Sequence, residues 1–293
     1  PVYNEAGNVE ELHRLNKATL EVLGEPYEII AVDNGSSDGT LAILKKLHPI
    51  RIIALTKNFG QAAALEAGIR EARGDIVIIM DGDLQNDPRD IPKMLAQLRG
   101  GYDVVSGWRK NRFDSWFRRF HSYSANWLTR KVSGLNIHDH ACALKVYRKE
   151  FISNVTLHGA QHVFLAAQAY RRGAKITEIE VTHHARKSGL SKHHFWAGVK
   201  AIADLVVVRF LAPDTRPLVF FGWWFLLFLA VGLALTVVFV MVSKGIFFLG
   251  LALWFLLVGA VFLLSGLAVE LLRRNNLETR GERPYVIREA MER

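Results

Sequence analysis

Two carboxylates lie two residues apart in Asp81-Gly82-Asp83-Leu84-Gln85, directly after the apolar run Ile76–Met80. On an extended chain such residues point to the same side, so Asp81 and Asp83 can converge with Gln85 nearby. Two carboxylates and an amide oxygen make a hard donor set, suited to Mg²⁺ or Mn²⁺ that also holds phosphate oxygens. A solvated Asp-x-Asp loop is the commoner reading of such a pair and stays open, although the buried run before it strengthens the metal reading. A third carboxylate, Asp33, ends another apolar run and is followed by Asn34-Gly35-Ser36-Ser37-Asp38-Gly39-Thr40, a turn leading into a helix. No His/Cys cluster has zinc spacing, and His183/His184 and His193/His194 read as loop and interfacial residues. No G-x-G-x-x-G opens a helix and no P-loop string occurs, which counts against dinucleotide and P-loop chemistry.

The elements that must position these residues alternate. Strands are expected at Glu28–Val32, Arg51–Leu55, Asp75–Met80 and Asp103–Ser106, and helices at Ala6–Leu23, Asp38–Leu47, Gln61–Ala72 and Arg89–Leu98. This is an α/β pattern with a mainly parallel sheet and flanking helices, whose ligands bind beyond the carboxyl ends of the strands. Asp33 and the Asp81–Gln85 run sit at such ends. The start at Pro1 predicts a truncated N-terminus that lacks its first strand.

Two later runs are almost wholly apolar. Leu218–Val242 is 25 residues and Ile246–Val269 is 24, with only Ser243, Lys244 and Gly245 between them. At about 1.5 Å per residue each can span a hydrocarbon core of roughly 30 Å. Lys200, Arg209 and Arg216 precede the pair, Arg273, Arg274, Arg280 and Arg283 follow it, and the tip carries Lys244 alone. The positive-inside rule then places both termini and the soluble domain in the cytoplasm, on a multi-pass protein of the cytoplasmic membrane. His193–Ala212 mixes apolar residues at three- and four-residue spacing with Lys200, Asp204 and Arg209, which predicts an amphipathic interfacial helix or, alternatively, one packed on the soluble domain. The expected division is a soluble domain over 1–192, the interfacial helix over 193–216, the hairpin over 217–270 and a tail over 271–293. The balance of 37 Lys+Arg against 28 Asp+Glu, net +9, suits anionic lipid or phosphate partners, and no nucleic-acid motif accompanies it. The single cysteine, Cys142, excludes an internal disulfide and fits a reducing compartment.

The ordered strings Pro1-Val-Tyr-Asn-Glu5, Val32-Asp-Asn-Gly-Ser-Ser-Asp-Gly-Thr40, Asn58-Phe-Gly-Gln61 and Asp81-Gly-Asp-Leu-Gln85 resemble the GT-A glycosyltransferases of the dolichol-phosphate mannose synthase type. With the terminal hairpin and Glu282-Arg-Pro-Tyr-Val-Ile287, the chain is similar to the bacterial polyprenyl-phosphate branch of that family. The resemblance implies a GT-A (Rossmann-like) fold and transfer of a sugar from a UDP- or GDP-sugar to undecaprenyl or dolichyl phosphate, by metal-dependent inverting displacement. It implies that Pro1, Tyr3, Glu5, Asp33 and Gln61 bind the nucleotide-sugar, and that Asp81, Asp83 and Gln85 carry Mg²⁺ or Mn²⁺ on the diphosphate. It assigns Arg109, Arg118 and Ser122 to the lipid phosphate and Arg186 and Lys192 to closure over the donor phosphates, with Asp83, Arg109, Arg118 and Arg186 catalytic. Arginine forks suit phosphate oxygens; a headgroup-facing surface is the alternative for Arg112, Arg118 and Arg119. A homo-oligomer, a tetramer, is also implied.

Two strings depart from the family. Gly159-Ala-Gln-His-Val163 stands where Gly-Glu-x-x-Arg is usual, and the charges missing at Ala160 and Val163 leave the acceptor-site details and the sugar open, while Asp139-His-Ala-Cys-Ala-Leu-Lys145 has Ala141 where glycine is usual. Two alternatives remain at this point. A processive polysaccharide synthase usually carries Gln-x-x-Arg-Trp, whereas this chain has Gln168-Ala-Tyr-Arg171-Arg172 and too few spans for a pore. A degenerate membrane scaffold gains support from the altered 159–163 string.

Overall fold

The computed structural model describes residues 1–110, 129–131, 133–155, 157, 161–185, 217–241, 246–278 and 285–293. They fall into two compact units, one of residues 1–206 with 283–293 and one of 207–282. The interfacial helix expected over 193–216 lies outside the described residues up to 216.

The first unit opens with α1 (Val9–Leu23), β1 (Ile30–Asp33), α2 (Thr40–Leu44), β2 (Arg51–Leu55) and α3 (Gln61–Glu71). It continues with β3 (Ile76–Ile79), α4 (Ile91–Arg99), β4 (Val104–Trp108), β5 (Lys145–Arg148), α5 (Leu165–Arg171) and β6 (Ile176–Glu180). Local chemistry sets several boundaries. Glu10 and Glu11 face the positive end of the α1 dipole, and Gly24 closes that helix at φ 66°. The alanines of α3 let it lie close on β1: a Cβ added to Gly68 would sit 3.2 Å from Val32 Cγ2. β2 is buried on both faces, as its unbroken Ile-Ile-Ala-Leu run requires.

The sheet is mixed where the sequence suggested a mainly parallel one. β1 and β2 pair in parallel, as do β4 and β6, while β5 runs antiparallel between β3 and β4. The second correction concerns the stretch 271–293, read as a tail. Helix continues to Glu278, and β7 (Ile287–Glu292) pairs antiparallel with β2. Tyr285 is buried with Val32, Ile53 and Leu55, so this segment belongs to the core of the first unit. Its Ile-Arg-Glu-Ala-Met-Glu sequence alternates in burial, a period too short to stand out beside two membrane-length runs.

The order of one sheet is β1-β2-β7 and of the other β3-β5-β4-β6. A cavity of about 780 Å³ separates β1 from β3, lined by Ile30, Val32, Ile76 and Ile78 with Leu20 and Leu95. Val2 crosses its upper end, bridging in parallel to Asp33 and lying against Gly82. Because β5 is antiparallel, the loop before it emerges where β3 and β4 finish.

The second unit is a hairpin of α6 (Pro217–Met241) and α7 (Ile246–Glu278). Leu218–Met241 and Ile246–Leu272 are long and apolar enough to cross a membrane. The helices meet through glycines: a Cβ on Gly266 would lie 2.7 Å from Phe221 Cβ, and one on Gly232 would lie 2.9 Å from Leu256 Cδ2. Phe228 stacks on Phe262 with ring centroids 5.4 Å apart, filling the seam between these close approaches.

Candidate active site

The first group of candidate residues lies on the loops above β1. Asp33 is buried, its carboxylate accepts the Ser36 amide, and burial raises its pKa. Asn4 Oδ1 accepts the Ser37 amide at 2.9 Å while the Asn4 amide donates to Ser36 Oγ at 2.9 Å. The Glu5 amide donates to Thr40 Oγ1, and the Glu5 carboxylate accepts from Asn8 Nδ2 at 2.6 Å. Asn34, which the sequence reading left without a role, ties this loop to the next: its Nδ2 donates to Asn58 Oδ1 and its Oδ1 accepts the Phe59 amide. Gly35 lies so close to the neighbouring backbone that a Cβ would fall 2.6 Å from Lys57 Cα, and its φ is +70°. Tyr3 is half-buried beside them.

The second group lies at the ends of β3 and β4. Asp81 accepts a 2.7 Å hydrogen bond from Gln61 Nε2, so Gln61 holds a carboxylate at the start of α3. Burial first, and then the like charge of Asp83, raise the Asp81 pKa. Asp83 is buried and accepts the Gln85 amide. Between them and Gln85, Leu84 sits at φ +60° with its side chain buried. A leucine in the left-handed region costs on the order of 1 kcal/mol or more, strain held where it shapes a loop. Two desolvated acidic groups that repel each other are what a hard divalent cation relieves, so Asp81 and Asp83 fit Mg²⁺ or Mn²⁺. No cluster of three His, Cys, Asp or Glu capable of holding a metal occurs among the described residues, which leaves further ligands to Gln85 and substrate oxygens.

Arg109, at the end of β4, forms a bidentate pair with Asp139, Nε to Oδ2 at 2.7 Å and Nη2 to Oδ1 at 2.9 Å, with both side chains largely buried. Its positive charge also acts on Asp81. Gly107 lets the loop before β5 cross closely, since a Cβ there would lie 2.8 Å from Cys142 Sγ and 3.0 Å from the Leu144 carbonyl.

The segment after β6 is fastened to the Asp83 loop. Asn86 bridges His183, the His184 amide donates to the Gln85 carbonyl at 2.8 Å, and His184 Nε2 bonds Asp87 at 2.9 Å. Asp87 also takes Arg89, and that bond together with the one from His184 holds its pKa far below the usual carboxylate range. The chain leading to Arg186 and Lys192 thus starts beside Gln85. Arg118, Ser122, Arg186 and Lys192 themselves lie outside the described residues.

Residues 1–156 match the family model described as glycosyl transferase family 2. The chain belongs to glycosyl transferase family 2. Its relatives include the dodecaprenyl-phosphate galacturonate synthase of Rhizobium johnstonii, 37% identical over 99% of this chain and 90% of that protein. The undecaprenyl-phosphate 4-deoxy-4-formamido-L-arabinose transferase of an Enterobacter species is 33% identical over 100% and 92%. Among solved structures, glucosyl-3-phosphoglycerate synthase from Mycobacterium tuberculosis with phosphoglyceric acid aligns at TM-score 0.58 and 18% identity, over 74% of this chain and 80% of that one. The same protein with Mn²⁺ and uridine-diphosphate-glucose aligns at 0.56 and 17% identity, over 74% and 79%. The GT-A fold and the glycosyltransferase class are therefore those read from the sequence strings.

Proposed function

We propose that this glycosyltransferase moves a sugar from a nucleotide-diphosphate-sugar to a polyprenyl phosphate at the cytoplasmic face of a membrane. The observation that carries this reading is the Asp81–Asp83 pair, half-buried and buried in turn, beside the Arg109 fork. One fits the metal-bound diphosphate of a donor, the other the phosphate of an acceptor. The near-full-length relatives are named for transfer to dodecaprenyl and undecaprenyl phosphate, which supports the same acceptor class here. The fold neighbour holding Mn²⁺ and uridine-diphosphate-glucose supports a divalent ion at the donor.

The chemistry follows from the acceptor. A phosphate monoester has its second pKa near ~6 and is largely ionised at neutral pH. It attacks the anomeric carbon without a general base, in one in-line displacement that inverts configuration. What the protein must supply is alignment and relief of repulsion between two anionic groups. Pro1, Tyr3, Glu5 and Asp33 line the nucleotide side. Gln61 orients Asp81, and Arg109 with Arg118 and Ser122 receives the acceptor phosphate. Arg186 and Lys192 close over the donor. Asp81, Asp83 and Gln85 would hold a divalent cation, which would supply charge neutralisation for the departing diphosphate.

The hairpin anchors the chain with both termini cytoplasmic. Because β7 pairs with β2, the chain on either side of the hairpin shares one folded unit, consistent with two crossings and a return to the starting side. Cysteines placed at Ser243 and Glu292 should label from opposite sides; Cys142 is buried and gives little background. Labelling from one side refutes this topology.

The test of function is incubation of the membrane-embedded chain with a panel of UDP- and GDP-sugars and undecaprenyl phosphate. Sugar should appear on the lipid with one donor, and only with a divalent ion. Growth of a polymer, or hydrolysis indifferent to lipid, would replace this reading.

A further inference from the structure

Lys145, the first residue of β5, is 4% exposed and lies in the middle of its sheet, opposite Ile79 on one side and Ser106 on the other. Its ammonium donates to two backbone carbonyls, those of His140, at 2.9 Å, and Cys142. Among the described residues no carboxylate lies within ion-pair distance of it. Burying an ammonium costs several kcal/mol, and a methionine of similar length would fill the same space without that cost. The position therefore demands a cation.

The two carbonyls belong to the turn that carries Asp139. Asp139 Oδ1 accepts the Ala141 amide at 3.2 Å within the turn and Arg109 Nη2 at 2.9 Å outside it. The antiparallel course of β5 brings the turn to the ends of β3 and β4, and Gly107 allows it to pass over β4. A chain of contacts thus runs from Lys145 through the backbone of 140–142 to Asp139 and on to the Arg109 guanidinium.

We infer that Lys145 is a positioning residue for the acceptor phosphate, fixing the 139–142 turn so that Asp139 presents Arg109 in one orientation. This rests on the reading of Arg109 as the acceptor-side group. Two carbonyls held by one ammonium define the turn more tightly than a neutral side chain could. A bidentate guanidinium tolerates little misplacement, since a shift of about 1 Å at a positioning group can cost on the order of 100-fold in rate.

The test uses the full chain in detergent with undecaprenyl phosphate as the varied substrate and donor binding measured separately. Lys145→Met should raise the KM for the lipid about tenfold and leave the donor Kd within about twofold. In an Arg109→Lys background the same substitution should add less than about twofold, because the group it positions is already gone. Should Lys145→Met fail to fold, Asp139→Asn keeps the buried lysine and should reproduce the KM effect and its loss in the Arg109→Lys background. Equal penalties in both backgrounds, or a lower Tm with the lipid KM unchanged, overturn the inference and make Lys145 a core residue only. Coupling that appears in the donor Kd instead upholds the positioning role and overturns the acceptor-side reading of Arg109.

Discussion

Above β1 the loops are tied to one another mostly by neutral hydrogen bonds among Asn4, Ser36, Ser37, Asn34 and Asn58, and the carboxylates of Asp33 and Glu5 there accept from neutral donors, whereas at the ends of β3 and β4 charged groups are buried against one another. Each bond of the first kind contributes roughly 0.5–1.5 kcal/mol, and water can replace part of it. Breaking a buried charge pair costs roughly 3–5 kcal/mol, because the remaining charge is left unpaired. The loops above β1, the proposed nucleotide side, are thus a web that tolerates the loss of single strands, and the proposed phosphate side is a set of charges that fails when one is removed.

Asp83→Ala should therefore show the largest effect, a loss of activity of about 10³-fold or more, with folding and membrane insertion retained. Excess EDTA should abolish wild-type activity, and added Mg²⁺ or Mn²⁺ should restore it. Full turnover in EDTA contradicts the assignment of both carboxylates.

The buried charges also imply a pH signature. Burial, and then the charge of Lys145, push the His140 imidazole down to about 4. The unfolded chain takes up that proton near pH ~6.5 while the folded chain resists it. Stability is thus fully present above 6.5 and is lost as pH falls toward 4, by roughly 3 kcal/mol over the window. Tm measured between pH 7.5 and 4.5 should fall more steeply for the wild type than for His140→Gln. Parallel curves would remove the buried imidazole from the account.

The smallest effect is expected on the polar side. Gly35→Ala forces a Cβ against Lys57 at a φ that L-residues avoid, a strain of about 1–3 kcal/mol. Donor affinity should drop about tenfold while the KM for lipid phosphate stays the same. An unchanged donor Kd would mean that the two loops move independently of the nucleotide.

The same contrast explains what the sequence made legible. The loops above β1 are written in contiguous strings: Asp33 to Thr40 forms its own turn, and Asn58 to Gln61 leads straight into α3. Strand Arg51–Leu55 and the start of α3 at Gln61 fall where periodicity placed them. The charged side depends on separations that spacing does not reveal. Arg109 and Asp139 are 30 residues apart, and β5 reaches its place by running against the local direction of β3 and β4. Asp139 to Lys145 could be quoted as a string, but its role needed that antiparallel strand. Asp87 and His184, 97 residues apart, and the return of β7 to β2 were hidden for the same reason.

Separability of the two sides is the central claim, and Arg109→Ala tests it most directly. Nucleotide-sugar binding should remain within about twofold of wild type, while lipid-dependent turnover falls by about 100-fold or more. A variant that loses donor binding and keeps its lipid dependence would place Arg109 on the nucleotide side and contradict the account.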